Sequence, residues 1–161
     1  MIGCARPLMV SLFSIAAAAA ALDGALAAAD TKGPILVLNQ PRIARALIQR
    51  GRDVLLAEER ARSRRRGRPA FACDERALPL APGAAAGVVG CGLGARGDWR
   101  ERLVEWTRVV ASGGAIALVD QGAGRPRASE LTRLLLCCGV SEIEQRHAGR
   151  TLVTSGLVTH L

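Results

Sequence analysis

Two acids and two short turns carry the residue types and spacing that could hold a small ligand: Glu58, Asp74, the turn Asn39-Gln40-Pro41 and the stretch Gly90-Cys91-Gly92-Leu93-Gly94. A carboxylate at the end of a strand can accept hydrogen bonds from paired sugar hydroxyls, and a turn between strand and helix can present backbone N–H groups to an anion. Laid on the pattern G-x-G-x-x-G, the three glycine positions become Asn39, Pro41 and Ala44, and an acid follows 19 residues after the first, at Glu58. The spacing is kept and the glycines are not. Asn tolerates a positive φ better than most residues, whereas Pro41 removes a donor where a ligand would approach, although it suits the first residue of a helix. Gly90 to Gly94 could let a ligand come close to the backbone, and reads equally as a plain loop. No general base stands beside either turn, since His147 and His160 fall in the C-terminal segments and read as surface residues. The five cysteines include no C-x-x-C pair and no His at zinc spacing, so they read as small buried hydrophobes and no metal site is expected.

These residues need strand ends to position them, and the pattern supplies strands. Ile35 to Leu38 is an apolar run after a Gly-Pro break; Ile43, Ala44, Leu47 and Ile48 then recur at helical spacing up to Gly51; residues 53–57 form a second apolar run. That is a βαβ unit, right-handed with parallel strands. Further strands are expected at residues 69–73, 87–91, 114–119, 141–146 and 150–156, the last two as an antiparallel pair turning at Ala148-Gly149. An amphipathic helix, Asp98 to Val110, has Asp98 suited to its N-cap and acids at Asp98, Glu101 and Glu105 that read as solvent-facing caps and ion pairs with Arg102 or Arg108; a second runs from Ala128 to Cys138. The core should include Leu36, Leu38, Ile43, Leu47, Leu55, Val88, Leu103, Ile116, Leu118 and Leu135, and Gly113-Gly114 should turn the chain tightly into the fifth strand.

A chain of 161 residues buries roughly 68–70% of its unfolded surface and needs no disulfide or metal to hold a core. The net charge is +8, but Arg60, Arg62, Arg64, Arg65, Arg66 and Arg68 supply six of it, leaving 8 − 6 = +2 elsewhere, so the run reads as a solvated basic helix end, with a phosphate or nucleic-acid patch as the alternative. With four aromatic residues and no Tyr, the sequence lacks a base-stacking platform, and nucleic acid is not an expected partner. The apolar stretch from Leu8 to Leu22 is too short for a confident transmembrane span. Residues 1–30 read in two ways: a signal-like leader ending at Ala27-Ala28-Ala29, which would mean export, or an Ala-rich helix from Ser14 to Ala29 covering the sheet that follows. Five cysteines without a pairing pattern favour the second, with a cytoplasmic location.

Three pieces in order resemble the class I S-adenosylmethionine-dependent methyltransferases, in particular the small-molecule branch called type 11. "DERALPLAPG" from Asp74 is similar to that family's "D-a-e-x-L-P-F-x-x-G". "LVEWTRVVASGGAIALVD" is similar to "l-x-E-x-x-R-V-L-k-P-G-G-x-l-x-l-v-D", with Glu105, Arg108, Val109, Gly113, Gly114 and Asp120 in place, and "LLLCCGVSEIEQRHAGRTLVTSG" resembles the closing helix, turn and antiparallel strands. The resemblance runs from about Ile35 to Val158. It implies a three-layer, Rossmann-like α/β domain over residues 31–161, with strand order 3-2-1-4-5-7-6, mostly parallel, the last strand antiparallel. It further implies that Glu58 meets the cofactor's ribose, Asp74 its adenine amino group, and Asn39, Gln40 and Pro41 its methionine part, with Gly90 and Cys91 near the methyl group. The implied partner is a small-molecule methyl acceptor. Against the family pattern, the glycine loop is absent and about two residues short, and "s-F-D" is replaced by Ala84-Ala85-Ala86. The expectation is therefore weakened or lost S-adenosylmethionine binding, with a non-catalytic module that binds a protein partner as the alternative.

Overall fold

A computed structural model describes residues 12–29, 32–58, 70–93, 97–121, 128–148 and 151–160. Cys4, the Arg60 to Arg68 run, Gly94 and Gly149 lie outside them. Apolar runs flanked by Gly and Pro become strands β1 (Ile35–Leu38), β2 (Val54–Glu58), β3 (Ala70–Ala72), β4 (Ala85–Cys91), β5 (Val110–Gln121), β6 (Val140–Ala148) and β7 (Thr151–Val158). They form one sheet in the order β3-β2-β1-β4-β5-β7-β6. β1 pairs in parallel with both β2 and β4, and β7 runs antiparallel to β5 and β6. The expected strand order and the neighbouring of the first and fourth strands are what the structure has.

Successive residues of β1 point to opposite faces, and all four are buried because helices cover both. On one face α1 (Leu12–Ala28) and α2 (Pro41–Gln49) pack Ile15, Ala18, Leu22, Leu26, Ile43 and Leu47 against Ile35, Val37, Val89 and Ala117. On the other, α3 (Trp99–Val109) and α4 (Ala128–Cys137) pack Leu103, Trp106, Leu131 and Leu135 against Leu36, Leu38, Val88, Ile116 and Leu118. The alanines of α1 let it lie close to the sheet, and Asp23 on its outer side pairs with Arg50 at 2.6 Å and Arg52 at 2.9 Å beyond the end of α2. Among the described residues no helix is long and apolar enough to cross a membrane.

Several details differ from expectation, among them the cysteines, of which Cys137 is exposed and Cys73, Cys91 and Cys138 are half-buried, not buried hydrophobes. Leu55 is half-buried and packs at the margin of the core, not inside it. Asp98 precedes α3 but makes no side-chain cap bond, because its Oδ1 accepts from Arg102 Nε at 2.8 Å, one helical turn on. Gly113-Gly114 is not a tight turn: α3 passes directly into β5 at Val110, and the glycines sit where the pairing with β4 slips, Ala85 opposing Val110 and Gly87 opposing Ala115.

The bulge uses the two glycines for separate reasons. Gly113 has φ +80°, and a Cβ on Gly114 would stand 2.7 Å from the Ala86 carbonyl oxygen and 2.8 Å from that of Ala111. Gly114→Val is therefore expected to destabilise through overpacking against backbone, by about 3 kcal/mol, read as a fall in the urea midpoint with the slope unchanged. A midpoint equal to that of the parent would show that β5 can shift to admit the side chain.

Candidate functional site

In an open α/β sheet, ligands bind outside the carboxyl ends of the strands where the chain order reverses, which here is the crevice between β1 and β4. Asn39 and Gln40 are all that separate β1 from α2, and Pro41 is the first residue of that helix. Asn39 takes φ +53°, the left-handed conformation that glycine takes most easily, and its N–H donates to Ala57 O at 2.8 Å. Its side chain is also engaged: Asn39 Nδ2 donates to Glu75 Oε1.

Glu75 begins a chain of alternating charges along this edge. Glu75 is 3% exposed and its carboxylate accepts from Arg102 Nη1 at 2.8 Å, and Arg102, 8% exposed, turns its Nε to Asp98. Asp98 Oδ2 lies 3.8 Å from Arg76 Nε, and Arg76 grips both oxygens of Asp74 through Nε at 3.1 Å and Nη2 at 2.9 Å, while its backbone N–H donates to Asp74 Oδ1 at 2.9 Å. These bonds hold the Asp74 carboxyl at about 2. The hydrogen bond from Arg102 lowers Asp98 likewise. Glu75 is anchored through its backbone as well, since Trp106 Nε1 donates to its carbonyl at 3.2 Å.

Glu105 and Arg108 turn out to be a clamp, not a solvent-facing pair. Glu105 Oε1 accepts from Leu78 N–H at 2.8 Å, and Arg108 donates to Leu80 O at 3.1 Å, fastening the helix-free connection from β3 to β4 onto α3. Their mutual bond at 2.6 Å, with smaller help from Leu78 N–H, holds the Glu105 carboxyl below its usual range.

The remaining sequence candidates divide between the two sides of the crevice. Glu58 ends β2, half-buried. Gly90 and Cys91 end β4, but the Cβ position of Gly90 faces the ring of Trp106, so close approach there is to the indole. The Cys91 thiol is pushed up by burial first and by the nearby negative charges of Asp120 and Glu75 second, so it stays protonated and is no nucleophile at neutral pH. Asp120 is buried at the end of β5. His160 Nε2 sits 2.7 Å from Val110 O, at the amino end of β5 and so away from the carboxyl ends of the parallel strands, and His147 is exposed on the outer strand β6. No cluster that could hold a metal ion occurs among the described residues.

Solved structures superpose closely on this framework. The Burkholderia thailandensis 1,6-didemethyltoxoflavin-N1-methyltransferase, solved with 1,6-didemethyltoxoflavin and S-adenosylhomocysteine, matches with TM-score 0.73 and 15% identity over 91% of this chain and 79% of its own. The fold is that of the class I S-adenosylmethionine-dependent methyltransferases. A TehB-like S-adenosylmethionine-dependent methyltransferase of Corynebacterium glutamicum matches with TM-score 0.66 and 16% identity over 94% of this chain and 90% of its own. A complex that contains the Trm112 methyltransferase activator of Haloferax volcanii matches with TM-score 0.67 and 15% identity, over 92% and 97%. No family model and no curated protein sequence matches the chain.

Within the methyltransferase fold, Glu75 and Arg102 are the site residues that reading the sequence overlooked. A signal was present: in "D-a-e-x-L-P-F" the residue after Asp is small and the next is acidic, whereas here they are Glu75 and Arg76, a long acid and a reversed charge. Glu58 stands at the end of β2, while Asp74 is gripped by Arg76. The turn between β1 and α2 is two residues long, opens its helix with a proline and has its Asn39 side chain on Glu75.

Proposed function

We propose that this chain is a methyltransferase-fold domain that binds S-adenosylmethionine weakly or not at all and serves as a partner-binding or regulatory module. The observation that carries the reading is the commitment of Asn39 to Glu75, and of Glu75 to buried Arg102, at the crevice where the methionine part would lie. Occurrence of the same fold in a complex containing a methyltransferase activator supports a protein as the partner. The helix α1 packs against the sheet as part of one folded unit, and an N-terminal segment built into the fold supports its retention and with it a cytoplasmic location.

A second reading, methyl transfer to a small molecule, is favoured by Glu58 at the end of β2 and by the S-adenosylhomocysteine bound to the Burkholderia enzyme. Titration decides between them. S-adenosylhomocysteine at millimolar concentration is expected to give no heat and no thermal stabilisation. A ligand at 100 times its Kd would stabilise by about 2.7 kcal/mol, a shift of several degrees in a domain of this size. Micromolar binding that disappears in Glu58→Ala would overturn the first reading and establish the second.

A further inference from the structure

We propose that Arg102 and Asn39 form a receptor for a small carboxylate and that Glu75 is its built-in occupant. The proposal rests on the reading that the cofactor's amino-acid end finds no place here, and it names what has taken that place. Each Glu75 oxygen has its own donor, Asn39 Nδ2 on Oε1 and Arg102 Nη1 on Oε2. Both donors are held independently of Glu75. Asn39 is fixed by its left-handed backbone and its N–H bond to Ala57, and Arg102 by Nε on Asp98 and by its helix. The donors thus converge on a point at the carboxyl end of β1, next to the strand pair where ligands of this fold class enter.

The pairing is also enclosed. Arg102 is 8% exposed and shares its guanidinium between two carboxylates, Asp98 at Nε and Glu75 at Nη1, so loss of Glu75 removes a buried, charge-assisted bond while Asp98 keeps the guanidinium in place. Glu75 supplies the acceptor at Nη1 from within the chain. Its backbone is tied to Trp106 Nε1, so the segment bearing it stays put when the side chain is shortened. Glu75→Ala then removes the Cγ, Cδ and two oxygens, which are the heavy atoms of acetate. The variant should behave as a carboxylate-binding protein where the parent does not.

Thermal unfolding of the full-length Glu75→Ala protein in sodium acetate, against sodium chloride at equal ionic strength, tests this. The variant is expected to melt well below the parent in chloride and to gain roughly 5 °C or more in saturating acetate, while the parent melts alike in both salts. In Glu75→Ala/Arg102→Met the acetate effect should vanish. If Glu75→Ala cannot be purified folded, it is refolded from denaturant in each salt, with folding expected only in acetate. Equal behaviour in the two salts, folding in neither, or an undiminished acetate response in the double variant overturns the proposal. Micromolar S-adenosylhomocysteine binding by the parent would instead overturn the reading of function above, whatever the variant does in acetate.

Discussion

A chain shortened to begin at Lys32 is expected to lose its cooperative unfolding transition. Without α1, the face of the sheet made by Ile35, Val37, Val89, Ala115 and Ala117 loses the side chains of Ile15, Leu22 and Leu26 that cover it. Burial of a large aliphatic side chain contributes about 1.5–3 kcal/mol, so those three alone account for roughly 5–9 kcal/mol, comparable to the whole stability of an ordinary domain at about 5–15 kcal/mol. The Asp23 bonds to Arg50 and Arg52 disappear with them. The shortened chain should show weak near-ultraviolet dichroism and bind hydrophobic dye. A two-state urea transition at the midpoint of the full chain would refute this. Cleavage of a leader after Ala29 would likewise remove α1 from the fold. Mass measurement of the protein from its own host should find α1 retained, and a folded mature chain starting near Ala28 or Asp30 would contradict both statements.

Why the strands were legible while the network was not follows from what each depends on. β1 reads directly from Ile35 to Leu38, because four consecutive apolar residues after Gly33-Pro34 can be satisfied only where both faces are covered. The strand order could be anticipated because the Arg108-Val109 to Gly113-Gly114 piece belongs to a topology that recurs. The start of β5 could not, since Ala111 to Gly114 are small residues that suit a turn as well as a strand, and only the slip against β4 makes them a bulge. The buried pair was hidden for a different reason. Glu75 and Arg102 are 27 residues apart and each is ordinarily a surface residue. Solvated charges and a buried pair look identical in a linear sequence, and periodicity places Arg102 on the same helix as the exposed Glu101.

Gly90→Ala should be among the most damaging single substitutions in the molecule, although it adds one methyl group. A Cβ at Gly90 would stand 2.1 Å from Cζ3 and 2.4 Å from Cη2 of Trp106, well inside contact distance. The indole cannot retreat freely. It is 1% exposed, lies in the core with Leu103, Leu36 and Val88, and is held by the bond from Nε1 to Glu75 O. Moving it would break that bond and shift the backbone carrying Glu75, so the strain at β4 passes into the buried ion pair with Arg102. Overpacking a core typically costs 1–3 kcal/mol, and with a rigid ring on one side and a strand on the other a loss of about 3 kcal/mol or more is expected, read as a lowered urea midpoint without ligand. Trp106→Leu alone should also destabilise, by leaving a cavity and removing the bond to the Glu75 carbonyl. In the double variant Gly90→Ala/Trp106→Leu, however, the new methyl enters the space the ring vacated, so the two losses should fall short of their sum by at least about 1 kcal/mol. Strict additivity, or a Gly90→Ala protein as stable as the parent, would mean that the indole does not need the missing Cβ. Close approach of a ligand would then be the remaining reason for a glycine at this end of β4.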